Sequence, residues 1–264
     1  MTDLTPFWLA GEPTFGEGSL DVHSPYSGDL VGRVSLATSD QIEQAIAAAD
    51  AVQAELLGLP AHVRAKALDH ISARIGQRAE EFAALITAEN GKPLMWSRGE
   101  VSRAVSTFRW AAEEARRWSG ELQRLDTDPN ATGRLGITRR FPRGPVLGIA
   151  PFNFPAMIPF GWMAPTCIAT GNTLVLKAAS LTPKTAMLFA QLYKDAGVPD
   201  GVINVVTCSR NEINTILEHP DVKGITFVGS TPVGLKIYEK AAANGKRCQA
   251  LCQAKNHALV MEDC

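Results

Sequence analysis

Four short apolar stretches, VLGIAPF (146–152), TLVLK (173–177), INVVT (203–207) and GITFVG (224–229), decide the fold of this chain. Helical patterns separate them around 156–170, 183–196 and 210–217, and a last one follows at 232–244. Short, almost continuously apolar strands that alternate with helices are typical of a parallel sheet covered on both faces. The fold class predicted from these stretches is α/β, with a doubly wound parallel sheet.

Ahead of this sheet, the sequence predicts an N-terminal helical layer. Ser39 precedes the first helix, and Gly58 and Pro60 end it. Apolar residues at helical spacing predict a second helix from about Pro60 through Ile86, and a third helix begins at Gly99. These elements make up the expected first part of the molecule, residues 1–120.

Residues 121–145 differ from the segments on either side. They are polar and carry turn signals at Asp128-Pro129-Asn130 and Thr132-Gly133. This composition predicts a protruding β-hairpin arm, or else a connecting arm, between the helical part and a sheet domain at 146–264.

Composition excludes several classes of partner. The chain has 264 residues, of which 45% are hydrophobic, and 26 basic residues against 27 acidic ones give a formal charge of −1. Such a balance provides no basic surface for nucleic acid or for an anionic membrane. No stretch approaches the roughly eighteen apolar residues that a membrane-spanning helix needs.

The N-terminal sequence and the cysteines indicate a compartment. MTDLTPFWLAGEP has neither the basic nor the apolar region of a signal peptide. Five cysteines in a chain of this size are more typical of reduced thiols than of a disulfide framework. We therefore expect a cytoplasmic protein.

Polar residues follow three of the predicted strands. Ligands of parallel sheets bind where such strands end and helix N-termini begin. Asn153 could aim its amide at an oxyanion, or it could simply bond local backbone in a turn. Lys177 could bond ribose hydroxyls or be a solvated lysine. Gly229 and Ser230, which precede a helix, could hold a phosphate, although Ser230 could equally be a plain helix cap.

The remaining reactive side chains point less clearly to a site. Cys248 and Cys252 have C-x₃-C spacing with only His257 nearby, which does not make a zinc site. Cys167 lies in an apolar helix and is expected to be core packing. The sequence has no G-x-S-x-G motif of a serine hydrolase.

Taken together, these motifs resemble the aldehyde dehydrogenase superfamily over the whole chain. The matching stretches occur in the order of that family: EVSRAVSTFRWAAEEARRWSGE, TRRFPRGPVLGIAPFNFP, GNTLVLKAASLTP, AGVPDGVINVV and HPDVKGITFVGSTPVG. PAMIP, FVGSTPVG and NGKRCQAL-x-x-AKNH are most similar to the methylmalonate-semialdehyde dehydrogenase branch, which makes acyl-CoA from the aldehyde. The resemblance implies a Rossmann-like NAD(P)-binding core at 146–264. It also implies an inter-subunit role for the 121–145 arm, hence a homo-oligomer in the full-length members of the family.

The resemblance also implies a role for each residue at the strand ends. Asn153 would donate to the oxyanion, and Phe152 would line the nicotinamide and the aldehyde substrate. Lys177 would bond the adenosine ribose. The pyrophosphate would lie on Gly229 and Ser230, with Gly234 and its helix behind them. Arg103 would recognise a substrate carboxylate.

Some positions depart from the family pattern. Ser180 stands where NAD-preferring members commonly have a glutamate, so NADP is an alternative cofactor to NAD. Ala178 replaces a proline, and Thr207-Cys208-Ser209-Arg210 replaces a glycine-containing turn whose loss could crowd the adenine pocket. Aligned on Lys255, the general-base motif is replaced by Leu251-Cys252-Gln253-Ala254. The base is also missing in the semialdehyde branch, where CoA receives the acyl group.

The resemblance places the nucleophilic cysteine beyond Cys264, in a catalytic domain that we expect to be absent from these 264 residues. Cys252 is not expected to be that nucleophile. Two hypotheses follow. In the first, the chain is the cofactor-binding part of an NAD(P)-dependent aldehyde dehydrogenase, which passes the acyl group to CoA or to water, and the chain is inactive alone. In the second, it is a non-catalytic nucleotide-binding remnant or assembly partner.

Overall fold

The computed structural model describes residues 4–254 and 256–263, and Lys255 and Cys264 lie outside the described residues. Its main element is a seven-stranded sheet of order β12-β11-β8-β9-β10-β2-β3. The strands are β1 (Leu4–Thr5), β2 (Phe7–Leu9), β3 (Glu12–Thr14), β4 (Ser19–His23), β5 (Leu30–Ser35), β6 (Leu122–Arg124), β7 (Leu135–Ile137), β8 (Val146–Ile149), β9 (Leu174–Lys177), β10 (Ile203–Val206), β11 (Gly224–Val228) and β12 (Arg247–Leu251).

Five of the seven strands, β8 to β12, are parallel. β8 is the first of these strands in the sequence, and β9 and β10 follow on one side of it. The chain then crosses back, and β11 and β12 are added on the other side of β8. This is the Rossmann strand order, in which the direction of winding reverses between two neighbouring strands, here β8 and β11. The predicted fold class is confirmed. The bounds of β9, β10 and β11 agree with the predicted stretches to within one residue, whereas β8 ends at Ile149, three residues before the end of its stretch, and β12 was not predicted.

The helices are α1 (Ser39–Ala51), α2 (Gln53–Gly58), α3 (Ala61–Gln77), α4 (Ala79–Asn90), α5 (Leu94–Arg117), α6 (Ala164–Thr170), α7 (Pro183–Asp195), α8 (Arg210–Glu218) and α9 (Thr231–Ala243). α1, α8 and α9 form one layer on the sheet. α6 and α7 lie in the opposite layer, and α3, α4 and α5 pack outside them as the predicted helical layer. Both faces of the sheet therefore carry helices.

Helix boundaries differ from prediction where local chemistry decides them. Thr38, not Ser39, caps α1: its hydroxyl accepts from the Gln41 N–H, and the Gln41 side chain accepts from the Thr38 N–H. The predicted helix from Pro60 to Ile86 is broken at Arg78, which leaves helical geometry and separates α3 from α4. α5 begins at Leu94, immediately after Pro93, five residues before the predicted start.

Strands in the first thirty-five described positions were not predicted. β2 pairs antiparallel with β10 through Trp8 and Val205, and β3 then forms the edge of the main sheet. A separate sheet has the order β1-β5-β4. The buried Asn204 side chain accepts a hydrogen bond from the Ala10 N–H at 2.8 Å, which fixes the N-terminal segment on the sheet.

The predicted helix at 156–170 begins as a π-helix over Met157–Met163 and becomes α-helical at α6. Three phenylalanines pack where this segment meets the outer helices. The ring of Phe160 stacks on Phe189 with centroids 4.6 Å apart, and Phe189 contacts Phe82 at 4.4 Å. These contacts join the sheet layer to α4.

The 121–145 segment contains the predicted hairpin. β6 and β7 pair antiparallel, and both strands lie largely exposed, with Leu122 67% and Ile137 80% accessible. Across the described parts of the chain, no helix combines the length and apolar character needed to cross a bilayer.

Candidate functional site

The predicted site residues follow strands that end side by side. Ile149, the last residue of β8, lies opposite Lys177 of β9 and opposite Phe227 of β11. Val228 lies opposite Leu251 at the end of β12. Since all these strands are parallel, their carboxyl ends form one edge of the sheet. The switch point between β8 and β11 is where ligands bind in sheets of this topology.

The loop after β8 carries Phe152 and Asn153, whose side chains are both exposed. Their carbonyl groups are held by the connection between α4 and α5. The Asn90 side chain donates to the Phe152 carbonyl at 2.8 Å, and the Lys92 ammonium donates to the Asn153 carbonyl at 2.8 Å. The loop that presents Asn153 therefore has its backbone bonded to side chains some sixty residues earlier.

A buried ion pair supports the same loop. Lys92 Nζ lies 2.5 Å from Glu100 Oε2, and the Glu100 side chain is only 1% accessible. Glu100 Oε1 accepts from the Ala156 and Met157 N–H groups at 2.8 and 3.0 Å, where the π-helix starts. A buried carboxylate needs such partners, because burying a charge without them is costly.

Sequence reasoning missed Asn90, Lys92 and Glu100. A signal was present in α5, because Glu100 belongs to the buried face that also contains Val101 and Ala104. A carboxylate within an apolar stripe is rarely buried unless it is paired.

The end of β9 holds the second candidate. Lys177 Nζ donates to Ser180 Oγ at 3.2 Å, so the two predicted cofactor residues are brought together. Ser180 is exposed, whereas Ala178 between them is buried. The hydroxyl and the ammonium thus lie together on one short loop.

In the turn after β10, the side chains of Thr207 and Cys208 are buried. The Thr207 hydroxyl donates to the Ser35 carbonyl at 2.5 Å, and the Thr207 carbonyl accepts from the Ala37 N–H at 2.8 Å. Cys208 is also buried, and burial raises the pKa of its thiol to about 11. These two bulkier residues therefore pack into the protein.

The third candidate lies between β11 and α9. Ser230 occupies the N-cap position, but its side chain makes no capping hydrogen bond. A Cβ on Gly229 would lie 2.5 Å from the Phe227 ring, so only glycine fits this backbone without displacing the ring. On Gly234 a Cβ would lie 2.4 Å from Cys252 Sγ, which shows that this thiol packs directly on the first turns of α9.

Arg103 lines a cavity beside the loop that carries Asn153. Its guanidinium is 5.9 Å from the centre of the Phe154 ring, and the Lys92 ammonium is 4.4 Å from that same ring. The cavity has a volume of about 470 Å³ and is lined by Lys92, Trp96, Gly99, Glu100, Arg103 and Phe154. The structure thus places the predicted carboxylate-binding arginine beside Phe154, the residue that follows the predicted oxyanion donor.

A cavity of about 940 Å³ contains none of the predicted site residues. It is an open groove on the sheet face away from α9, bordered by Trp118, Arg140 and Phe141 near the arm and by Trp162 and Arg247. Cavity size therefore points to a different place from the one that the predicted site residues indicate.

The cysteines divide into two groups. Cys167 and Cys208 are buried, and burial raises the pKa of Cys167 to about 12. Cys248 and Cys252, on and just after β12, are more accessible. None of these four described cysteines forms a disulfide.

Comparison with known proteins agrees with this geometry. A model of the aldehyde dehydrogenase family matches residues 13–264. Malonate-semialdehyde dehydrogenase 1 of Geobacillus thermodenitrificans (strain NG80-2) is 42% identical over 243 residues, covering 92% of this chain and 49% of that protein.

Solved structures show the same relationship. Methylmalonate-semialdehyde dehydrogenase from Oceanimonas doudoroffii superposes with a TM-score of 0.90 at 36% identity, over 97% of this chain and 52% of that one. An NAD-dependent aldehyde dehydrogenase from Sinorhizobium meliloti gives 0.88 at 31% identity, over 95% and 50%. The chain spans about half the length of the relatives that it matches. The chain belongs to the aldehyde dehydrogenase family.

Proposed function

We propose that this chain is the cofactor-binding part of an NAD(P)-dependent aldehyde dehydrogenase that oxidises a semialdehyde. The observation that carries the proposal is the switch point between β8 and β11, with the Asn153 loop on one side and the start of α9 on the other. Relatives that are semialdehyde dehydrogenases, and one that is NAD-dependent, support it.

The residues at this edge fit a dinucleotide. Because the Ser230 side chain does not cap α9, the first N–H groups of the helix can bond pyrophosphate oxygens, and Gly229 adds no side chain there. Lys177 and Ser180 would bond the adenosine ribose, and Phe152 would border the nicotinamide. Gly234 lets α9 pack closely behind the phosphates.

When bound, the nicotinamide supplies the hydride acceptor for aldehyde oxidation. The Asn153 amide would donate to the aldehyde oxygen as negative charge develops on it. Arg103 would bind the carboxylate at the far end of the semialdehyde. The nucleophilic cysteine would come from a further segment, on a longer form of this protein or on a second chain.

The acyl acceptor in this proposal is CoA. Leu251, at the end of β12, occupies the aligned position of the family's general base, and an aliphatic side chain cannot activate water. A CoA thiol needs less activation than water does. The proposed product is therefore an acyl-CoA.

The 121–145 arm is proposed to join subunits of a homo-oligomer. The exposed apolar side chains of β6 and β7 support this role, since such residues on a hairpin are usually covered by a partner.

The second candidate, a non-catalytic nucleotide-binding or assembly protein, is favoured by the cysteines. Burial raises the pKa of Cys167 and Cys208, so neither readily forms a thiolate. Cys252 packs against Gly234 rather than standing clear of the cofactor helix.

Calorimetric titration with NAD and NADP tests the cofactor proposal. We expect one or both to bind, and binding of neither would favour the assembly protein. NADH production from malonate semialdehyde, with and without CoA, is then measured for this chain alone and mixed with the separately expressed C-terminal half of the Geobacillus relative. We expect turnover only in the mixture. Turnover by the chain alone that disappears in Cys252→Ser would assign the nucleophile to Cys252 and contradict the proposal.

A further inference from the structure

The two peptide groups on either side of the Asn153 Cα are each fixed by a side chain from outside the loop. Asn90 holds the Phe152 carbonyl, and Lys92 holds the Asn153 carbonyl. Because a peptide group is planar, a hydrogen bond to each of these carbonyls restrains φ and ψ of the residue between them. The direction in which the Asn153 side chain leaves the backbone is therefore set by the connection between α4 and α5.

Glu100 determines where Lys92 can be. Its Oε2 binds the ammonium at 2.5 Å, while its Oε1 accepts the N–H groups of Ala156 and Met157. One buried carboxylate thus anchors the lysine before the loop and the start of the π-helix after it. The Phe154 ring lies 4.4 Å from the ammonium and adds a further contact.

We propose that Lys92 and Glu100, together with Asn90, are positioning residues that hold the Asn153 amide in the direction needed by an oxyanion. The inference rests on the proposed function of Asn153. The hydrogen bonds that hold the loop are observed independently of that function. A pair that served only stability would need no bond to the Asn153 carbonyl. An oxyanion donor requires fixed orientation, because electrostatic stabilisation depends on groups that do not reorganise during reaction.

The test uses the whole 264-residue chain and compares Lys92→Met with Lys92→Arg and with Lys66→Met, a change of an exposed lysine on α3. Nuclear magnetic resonance follows the side-chain NH₂ signals of Asn153 and amide exchange at Ala156 and Met157. Both amides donate to Glu100, and Lys92→Met removes the charged hydrogen bond that holds the other oxygen of that carboxylate. We therefore expect exchange about 10- to 100-fold faster at these two amides in Lys92→Met. The Asn153 signals should shift or broaden.

Lys92→Arg should keep the Asn153 signals and the amide exchange rates close to those of wild type. Lys66→Met should change neither measurement. The proposal is overturned if Lys92→Met leaves the Asn153 signals unchanged, or if exchange rises equally at Ala156 and throughout β9. Should Lys92→Met fail to fold, Glu100→Gln decides: it keeps the shape but removes the charge that anchors Lys92. Unchanged Asn153 signals in that variant would also reject the proposal.

Cofactor titration of the same variants separates the two levels of inference. Loss of the Asn153 signature with no NAD or NADP binding by any form would reject the proposed function and leave the positioning intact. Cofactor binding together with unchanged Asn153 signals in Lys92→Met would reject the positioning role and leave the proposed function intact.

Discussion

The Glu89 carboxylate, at the end of α4, accepts hydrogen bonds from both the backbone N–H and the hydroxyl of Thr185, in the first turn of α7. Its other oxygen accepts from the Lys184 N–H at 2.6 Å. One buried side chain thereby caps a helix ninety-six residues later in the chain. It joins the outer helical layer to the helix that follows the Lys177–Ser180 loop.

Replacing Glu89 by glutamine should lower the free energy of unfolding by about 1–3 kcal/mol, because an NH₂ group would then face an N–H donor. The effect should depend on pH. Burial raises the pKa of Glu89 from 4.5 to about 7, against the opposing hydrogen bonds from Thr185 and Lys184. The folded protein thus holds a proton that the unfolded chain has released, so wild-type stability should fall as pH rises from about 4.5 to about 7.

Urea unfolding of both proteins at pH 5 and at pH 7.5 checks this. The advantage of wild type over Glu89→Gln should be larger at the lower pH. If the difference in free energy of unfolding between the two proteins is the same at both pH values, the Glu89 carboxyl does not titrate in this range.

Gly229→Ala should destabilise the protein by about 1–3 kcal/mol, because its Cβ would overlap the buried Phe227 ring. Gly99→Ala is the matched control: its Cβ meets nothing within 4 Å in α5, so alanine should stabilise by about 0.5–1 kcal/mol. Thermal unfolding of both variants measures this contrast. Equal effects would mean that Gly229 is not constrained by the Phe227 contact.

Ser180→Glu should reduce the affinity for NADP at least about tenfold and spare NAD. A carboxylate at this position would repel the 2′-phosphate but could accept from ribose hydroxyls. Ser180→Gln, which has the same size without the charge, should keep NADP binding closer to wild type. If the glutamine and glutamate variants lose NADP equally, bulk rather than charge excludes it.

A double change on the arm, Leu122→Lys with Ile137→Lys, should reduce self-association. These residues lie directly opposite each other on β6 and β7 and are largely exposed. Like charges facing across the pair would oppose contact with another apolar surface. Sedimentation velocity should show smaller species than wild type, whereas an unchanged distribution would remove the arm from the proposed interface.

The sheet and its site edge were predictable because each strand of the core is short, apolar and followed by a helix. The glycines, Lys177 and Asn153 stand where those strands end, so spacing alone placed them near one another. Two features were out of reach for physical reasons. β2 and β3 carry no strong pattern of their own: β2 becomes a strand by pairing with β10, and β3 by pairing with β2. Lys92 and Glu100 meet the Asn153 loop only after α5 has packed.

The pairing of Trp8 with Val205 has a consequence for synthesis on the ribosome. The partner strand emerges only after almost two hundred further residues have been translated, so the N-terminal strand cannot complete the sheet until then. Non-local pairing of this kind slows folding, and until it forms β10 presents an unsatisfied edge. A tag fused directly ahead of Phe7 would lie at this late-closing junction and would impede folding more than a tag elsewhere.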